Sequence, residues 1–145
     1  EYRPVYSPVE NGLDRFCSTK KSADYIGRAA FEQAKADGGR RRLRTFVVDA
    51  DDADAIGDEP IFFNGDSEAI GWVTSGGYAH WADCSVAMGY VPADLAGQDG
   101  GFEIEIMGDR RKVTIQPEKK PESRISTIRI MNSVPVEMWL NESLV

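Results

Sequence analysis

The chain has two cysteines, one histidine and no long apolar run among its 145 residues. Cys17 and Cys84 are too few and too far apart for a disulfide framework, and neither belongs to a CxxC pair of the kind that holds zinc or does redox work, so both read as structural thiols. One histidine supplies at most one metal ligand or one proton-transfer group, so no Ser/His/Asp or Cys/His arrangement can be built on spacing alone. No stretch of about 18 apolar residues is present to cross a bilayer, and Glu1-Tyr2-Arg3-Pro4 has neither the charge pattern nor the apolar core of a signal peptide. A soluble, cytoplasmic protein is expected. Positive charge is also short: 17 Lys and Arg against 24 Asp and Glu give a net charge of -7, which argues against nucleic acid or an anionic membrane as the main partner. An anionic ligand must then be held by a local basic cluster.

Hydrophobic residues make up 41% of the chain, enough for a packed core in one ordinary domain. There is no initiator Met, and the apolar pattern is already running at Val5 and Val9, so the sequence reads as a fragment of something longer. Pro4 and Pro8 disfavour helix at the start, where an extended segment lying against another surface is expected. Gly12 to Cys17 is a short strand candidate. Ile26, Ala29, Ala30, Phe31 and Ala34 have helical spacing ahead of Gly38-Gly39, which predicts one helix over residues 26–35. Beyond it the signals are all β. Leu43 to Asp49, Ile61 to Phe63, Ala69 to Thr74, Ser85 to Val91, Phe102 to Met107 and Lys112 to Gln116 read as six strands, two of them flanking the turn residues Asn64-Gly65-Asp66. The expected fold is mainly β with one N-terminal helix, a small antiparallel barrel or sandwich in which the segment before the strands is the less ordered part. Residues 1–49, 50–124 and 125–145 are expected to be three parts, the last without assignment.

Three features carry possible chemistry. The acidic loop from Asp49 to Glu59 imitates a calcium loop but has Asp54 where an EF-hand needs Gly and Pro60 where it needs Glu, so it reads as a solvated turn and no metal site is expected. His80 follows Thr74-Ser75-Gly76-Gly77-Tyr78, read as a loop whose glycines permit close backbone approach. Arg40-Arg41-Arg42 opens a strand, and a guanidinium binds carboxylates bidentately while keeping its charge. Alternation along the strand turns Arg41 away from both neighbours, so one arginine can serve a ligand while the others are solvated. Asn141-Glu142-Ser143 has the glycosylation pattern and is set aside in a chain without secretory signals.

Five segments in register resemble one family. Tyr6-Ser7-Pro8-Val9-Glu10-Asn11-Gly12-Leu13 is similar to its T/S-P-L-E-A-G-L motif, and Ala23-Asp24-Tyr25-Ile26-Gly27-Arg28-Ala29-Ala30 to its D-F-I-G-R-E-A-L. Arg41-Arg42-Leu43 resembles the R-R/K-L start of a strand, Ile70 to Tyr78 resembles V-G-x-V-T-S-G-x-Y, and Val86 to Pro92 resembles I-A-L-G-Y-V-P. The family is that of the glycine cleavage T protein (aminomethyltransferase) with the C-terminal regions of dimethylglycine and sarcosine dehydrogenases. The resemblance implies a barrel of the aminomethyltransferase C-terminal type behind the truncated end of a folate-binding domain. It implies a parent enzyme that passes a one-carbon unit from a small aminomethyl or N-methyl donor to tetrahydrofolate. Arg41 would stand at the reacting centre and cofactor, with Glu10, Tyr78 and His80 as further folate contacts; the form Gly77-Tyr78-Ala79-His80 leans to the dehydrogenase branch. In that branch an FAD domain would precede this chain, which has no GxGxxG fingerprint of its own.

The same resemblance puts the amine-handling carboxylate upstream of Glu1, so the parent's own upstream domains are expected partners and the fragment alone is expected to be inactive. Asn11 and Ala29 depart from the motifs, and the residues after Arg124 have no counterpart in them. The rival reading is a non-catalytic β-barrel interaction module with the arginines as a rim contact. A folate titration of the full-length parent separates the two.

Overall fold

The computed structural model describes residues 1–116, so the expectations for residues 125–145 lie outside the described residues. One α-helix, α1 (Arg28–Asp37), precedes six strands: β1 (Arg41–Val48), β2 (Pro60–Phe63), β3 (Gly71–Ala79), β4 (Cys84–Pro92), β5 (Phe102–Ile106) and β6 (Asp109–Ile115). They close into an antiparallel barrel in the order β1-β4-β3-β2-β5-β6. β1 is hydrogen-bonded to β4 along its whole length and to β6 through Phe46, Val47 and Val48, so it is the stave that shuts the barrel. It lies ahead of the division expected at residue 49.

Period-two alternation explains which residues line the interior. In β5 the run Phe102-Glu103-Ile104-Glu105-Ile106 sends its apolar members inward and its carboxylates out. Phe46 and Val48 do the same from β1, Val73 from β3, Ala87 and Val91 from β4, and Val113 and Ile115 from β6. Phe102 sits against both Phe46 and Phe63, with ring centroids 5.9 and 4.9 Å apart at 57°. Tight turns join neighbours where the sequence permits positive φ: Asn64 and Gly65 at 52° and 79°, Met107 and Gly108 at 53° and 91°.

Several expectations are corrected. Gly12 to Cys17 is a turn and a 3-10 helix (Asp14–Phe16) rather than a strand; the closed barrel has no free edge for it to pair with. The helix begins two residues late, between Gly27 and Gly38 at φ 88° and 80°, and of its expected apolar face only Phe31 is buried. Ile26 precedes the helix and is fully exposed. The stretch Thr74 to Tyr78, expected as a loop, continues β3 past a bulge between Val73 and Ser75.

Gly76 in this stretch serves packing. A Cβ at Gly76 would lie 2.4 Å from the Ala55 carbonyl oxygen, so the acidic loop rests directly on the strand. Gly76→Ala is expected to destabilise the domain by about 1–3 kcal/mol, because backbone rather than a flexible side chain must give way. A thermal melt showing no loss would contradict this packing.

Candidate functional site

The first thirteen residues lie across the outer face of β1, β3 and β4, and Glu10 fastens them there. Ser7-Pro8-Val9-Glu10 makes the reciprocal bonds of a capping box on a turn: the Ser7 backbone N–H and hydroxyl donate to Glu10 Oε2 at 2.9 and 3.1 Å, and the Glu10 N–H donates to Ser7 Oγ at 3.3 Å. The other carboxylate oxygen accepts the backbone N–H groups of Arg40 and Arg41 at 3.1 and 3.4 Å. Burial by itself would raise the Glu10 pKa, but these donors together outweigh it and hold the carboxyl below its ordinary 4.5. The Glu10 carbonyl also accepts the Leu43 N–H at 2.9 Å, and Arg42 Nη1 donates to the Val9 carbonyl at 2.6 Å.

Beside this clamp stands an aromatic wall. Tyr90 projects outward from β4 yet is completely buried, because Tyr6 stacks on it at 4.0 Å and 28°. Trp72 stands 6.0 Å from Tyr90 and 6.3 Å from Tyr6. The Tyr90 hydroxyl shares its one proton between Asn11 Oδ1 and the Glu1 carbonyl, the latter at 2.7 Å. Burial first, and then the negative potential of Tyr6 and Glu10, push its pKa up to about 12, so the phenol remains a donor. Asn11, which departs from the motif's small residue, is the side chain that receives it.

Arg41 lies against the wall. Its guanidinium carbon is 4.6 Å above the Trp72 ring, and Nη1 donates to the Ile70 carbonyl at 2.9 Å. It is half-buried, and among the described residues no carboxylate stands within ion-pairing distance of it. The three arginines are thus separated: Arg42 holds Val9, Arg41 meets the aromatic wall, and Arg40 contributes its backbone to Glu10.

Of the expected site residues, the structure brings Glu10 and Arg41 together. Tyr78 and His80 are elsewhere. Arg41 pairs with Pro92 and Tyr78 with Ser85, seven residues apart along β4, or roughly 23 Å. At that far end the Tyr78 hydroxyl bonds Asp83, and His80 meets the Tyr78 ring edge-on at 5.0 Å. The bond to Asp83 is the main cause of the raised Tyr78 pKa, with smaller contributions from Cys84 and Asp54. Burial and Asp83 also raise Cys84, which disfavours its thiolate.

Sequence reasoning missed Tyr6, Trp72 and Tyr90. The available signal was a large aromatic at an outward position of β4, which needs a cover. Among the described residues no helix is long and apolar enough to cross a membrane.

A closed antiparallel barrel wrapped by its N-terminal segment defines the class, and comparison with known proteins names it. The chain belongs to the family of the glycine cleavage T-protein C-terminal barrel domain, whose model matches residues 41–120. It is 38% identical over 109 residues to mitochondrial dimethylglycine dehydrogenase of Mus musculus, covering 75% of this chain and 12% of that one. It is 34% identical to the aminomethyltransferase of a Synechocystis strain, covering 79% of this chain and 32% of the relative. Human mitochondrial sarcosine dehydrogenase is 33% identical, with 74% and 12% covered. The crystal structure of the glycine cleavage system aminomethyltransferase T from Bartonella henselae superimposes with a TM-score of 0.66 at 25% identity, over 77% of this chain and 31% of that one. The chain therefore spans about an eighth to a third of the length of these relatives.

Proposed function

We propose that the chain is the C-terminal part of a tetrahydrofolate-dependent enzyme that takes a one-carbon unit from an aminomethyl or N-methyl donor. The observation that carries this reading is Arg41: a cation laid on an indole face, with one N–H engaged by the Ile70 carbonyl and no carboxylate partner among the described residues. Its remaining N–H groups suit a carboxylate or the polar edge of a pterin, so this side chain fits the cofactor. Tetrahydrofolate, when bound, supplies the nitrogen nucleophiles that accept the one-carbon unit.

Glu10 has a different part from the one its motif suggests. Four donors of its own chain already occupy its two oxygens, so it acts by fixing the backbone at Arg40 and Arg41 instead of touching folate. The proposed site takes Arg41 and leaves out Tyr78 and His80, which stand at the opposite end of β4. The 38% identity to dimethylglycine dehydrogenase favours an N-methyl donor, with flavin chemistry in a domain upstream of this chain. The isolated chain is expected to show no turnover.

In the full-length parent, Arg41→Lys keeps the charge but loses the planar fork. Folate affinity or kcat should fall by the equivalent of about 1–3 kcal/mol. Arg42→Lys should affect thermal stability through the lost contact to Val9 and leave folate affinity nearly intact, and Arg40→Lys should do little. Unchanged affinity and turnover for Arg41→Lys in a folded enzyme would remove Arg41 from the site.

A further inference from the structure

From Thr45 to Asp109 the sequence contains no lysine and no arginine, although fourteen of the 24 acidic residues fall there. Four strands, β2 to β5, lie inside this stretch, and the cations that reach its carboxylates come from β6: Arg110 to Glu103 and Glu105, and Arg111 to Asp52. The fold concentrates part of the negative charge at the β3–β4 turn. The loop containing Ala55 and Gly57 rests on β3 at Gly76 and Thr74, where added Cβ atoms would meet carbonyl oxygens at 2.4 and 3.3 Å. Asp54, the neighbour of Ala55 in that loop, adds a small negative contribution at the Tyr78 hydroxyl, which Asp83 engages directly from the turn.

The same tip exposes aromatic surface. Trp81 is 64% exposed and Tyr78 43%, with His80 exposed beside them. The turn does not need the indole: it is closed by the Ala82 N–H donating to the Ala79 carbonyl at 2.9 Å, with Asp83 at φ 53°. Among the described residues, the cations that stack on rings do so on Phe16, Phe31, Trp72 and Phe62, not on Trp81 or Tyr78.

We propose that the β3–β4 tip, formed by Tyr78, His80, Trp81, Asp83 and Asp54, is a docking surface for a partner protein segment bearing closely spaced arginine or lysine side chains. Each element of the tip matches that occupant. The ring faces attract a guanidinium or ammonium, the two carboxylates pair with it, and the surrounding field steers it in. Trp and Tyr are the side chains that most often anchor such contacts. The surface repels anionic partners. The proposal is independent of the folate reading, since the tip lies at the far end of β4 from Arg41.

The test titrates the isotopically labelled chain with a short oligoarginine peptide, using oligoglutamate as control. Saturable shifts are expected at the Trp81 indole N–H and the amides of His80 and Asp83, weakening as salt rises. Two charge-matched pairs then separate a site from general attraction. Asp54→Asn with Asp83→Asn should weaken binding about tenfold or more, as should Trp81→Ala with Tyr78→Ala. Asp66→Asn with Asp99→Asn, which removes the same charge from elsewhere on the acidic stretch, should change it less than about twofold. Equal losses for the two charge-matched pairs, or full binding without the aromatics, would overturn the proposal. So would tetramethylammonium binding as tightly as the peptide, or a Trp81 that acrylamide cannot quench in the full-length parent because another domain covers it.

Discussion

Phe46→Ala is expected to lower the unfolding free energy by about 3–5 kcal/mol, the range for deleting a fully buried aromatic ring. Phe46 has no exposure and meets Phe102 at 5.9 Å. Its strand is also the one that closes the barrel, opposite Ala87 on β4 and Ile115 on β6. The cavity would therefore open where the first and last strands meet, and neither β4 nor β6 can move inward without breaking its ladder to β1. Val47→Ala, on the outward face of the same strand, should cost less than about 1 kcal/mol. Urea unfolding followed by tryptophan fluorescence measures both. Equal losses at the two positions would show that the inward and outward faces of β1 are wrongly assigned.

Glu10→Ala is the second large effect, expected at about 2–4 kcal/mol, since it leaves the N–H groups of Ser7, Arg40 and Arg41 without their acceptor. The loss is bounded because the N-terminal segment can lift and admit water. Hydrogen exchange should localise the effect, with Arg40, Arg41 and Leu43 amides losing protection while those of β5 and β6 keep theirs. The wild-type protein should show the same release in acid. The Glu10 pKa is lowered in the folded state, so its contribution is full above the ordinary value of 4.5 and is lost as pH falls through the lower folded value. Glu10→Gln should flatten that part of the stability profile. A wild-type profile that Glu10→Gln leaves unchanged in acid would mean that the clamp carries no titrating charge.

The two substitutions probe different levels of what the chain encodes. Local order follows from residue types. The β-branched and aromatic run Thr45-Phe46-Val47-Val48, the strict alternation of Phe102 to Ile106 and the turn residues Asn64-Gly65 each select one backbone state with few alternatives. Ser7 and Glu10 at capping-box spacing are equally local. Six strands, one helix ending at Gly38 and the arginine cluster at the head of β1 could therefore be read directly.

Tertiary structure decided what depends on contacts between distant segments. The order β1-β4-β3-β2-β5-β6 pairs strands that are not neighbours in sequence, and no local preference specifies it. β3 runs on through Gly76 and Gly77, weak strand formers, because β4 supplies partners as far as Cys84. Tyr90 is buried on an outward face only because Tyr6 arrives from 84 residues earlier to cover it. Sequence alone determined that Arg41 starts a strand and carries a permanent charge. Only the closed barrel, by putting Trp72 beneath that charge and Tyr78 and His80 toward the other end of β4, decided which of these residues stand together, because strand register converts sequence separation into distance.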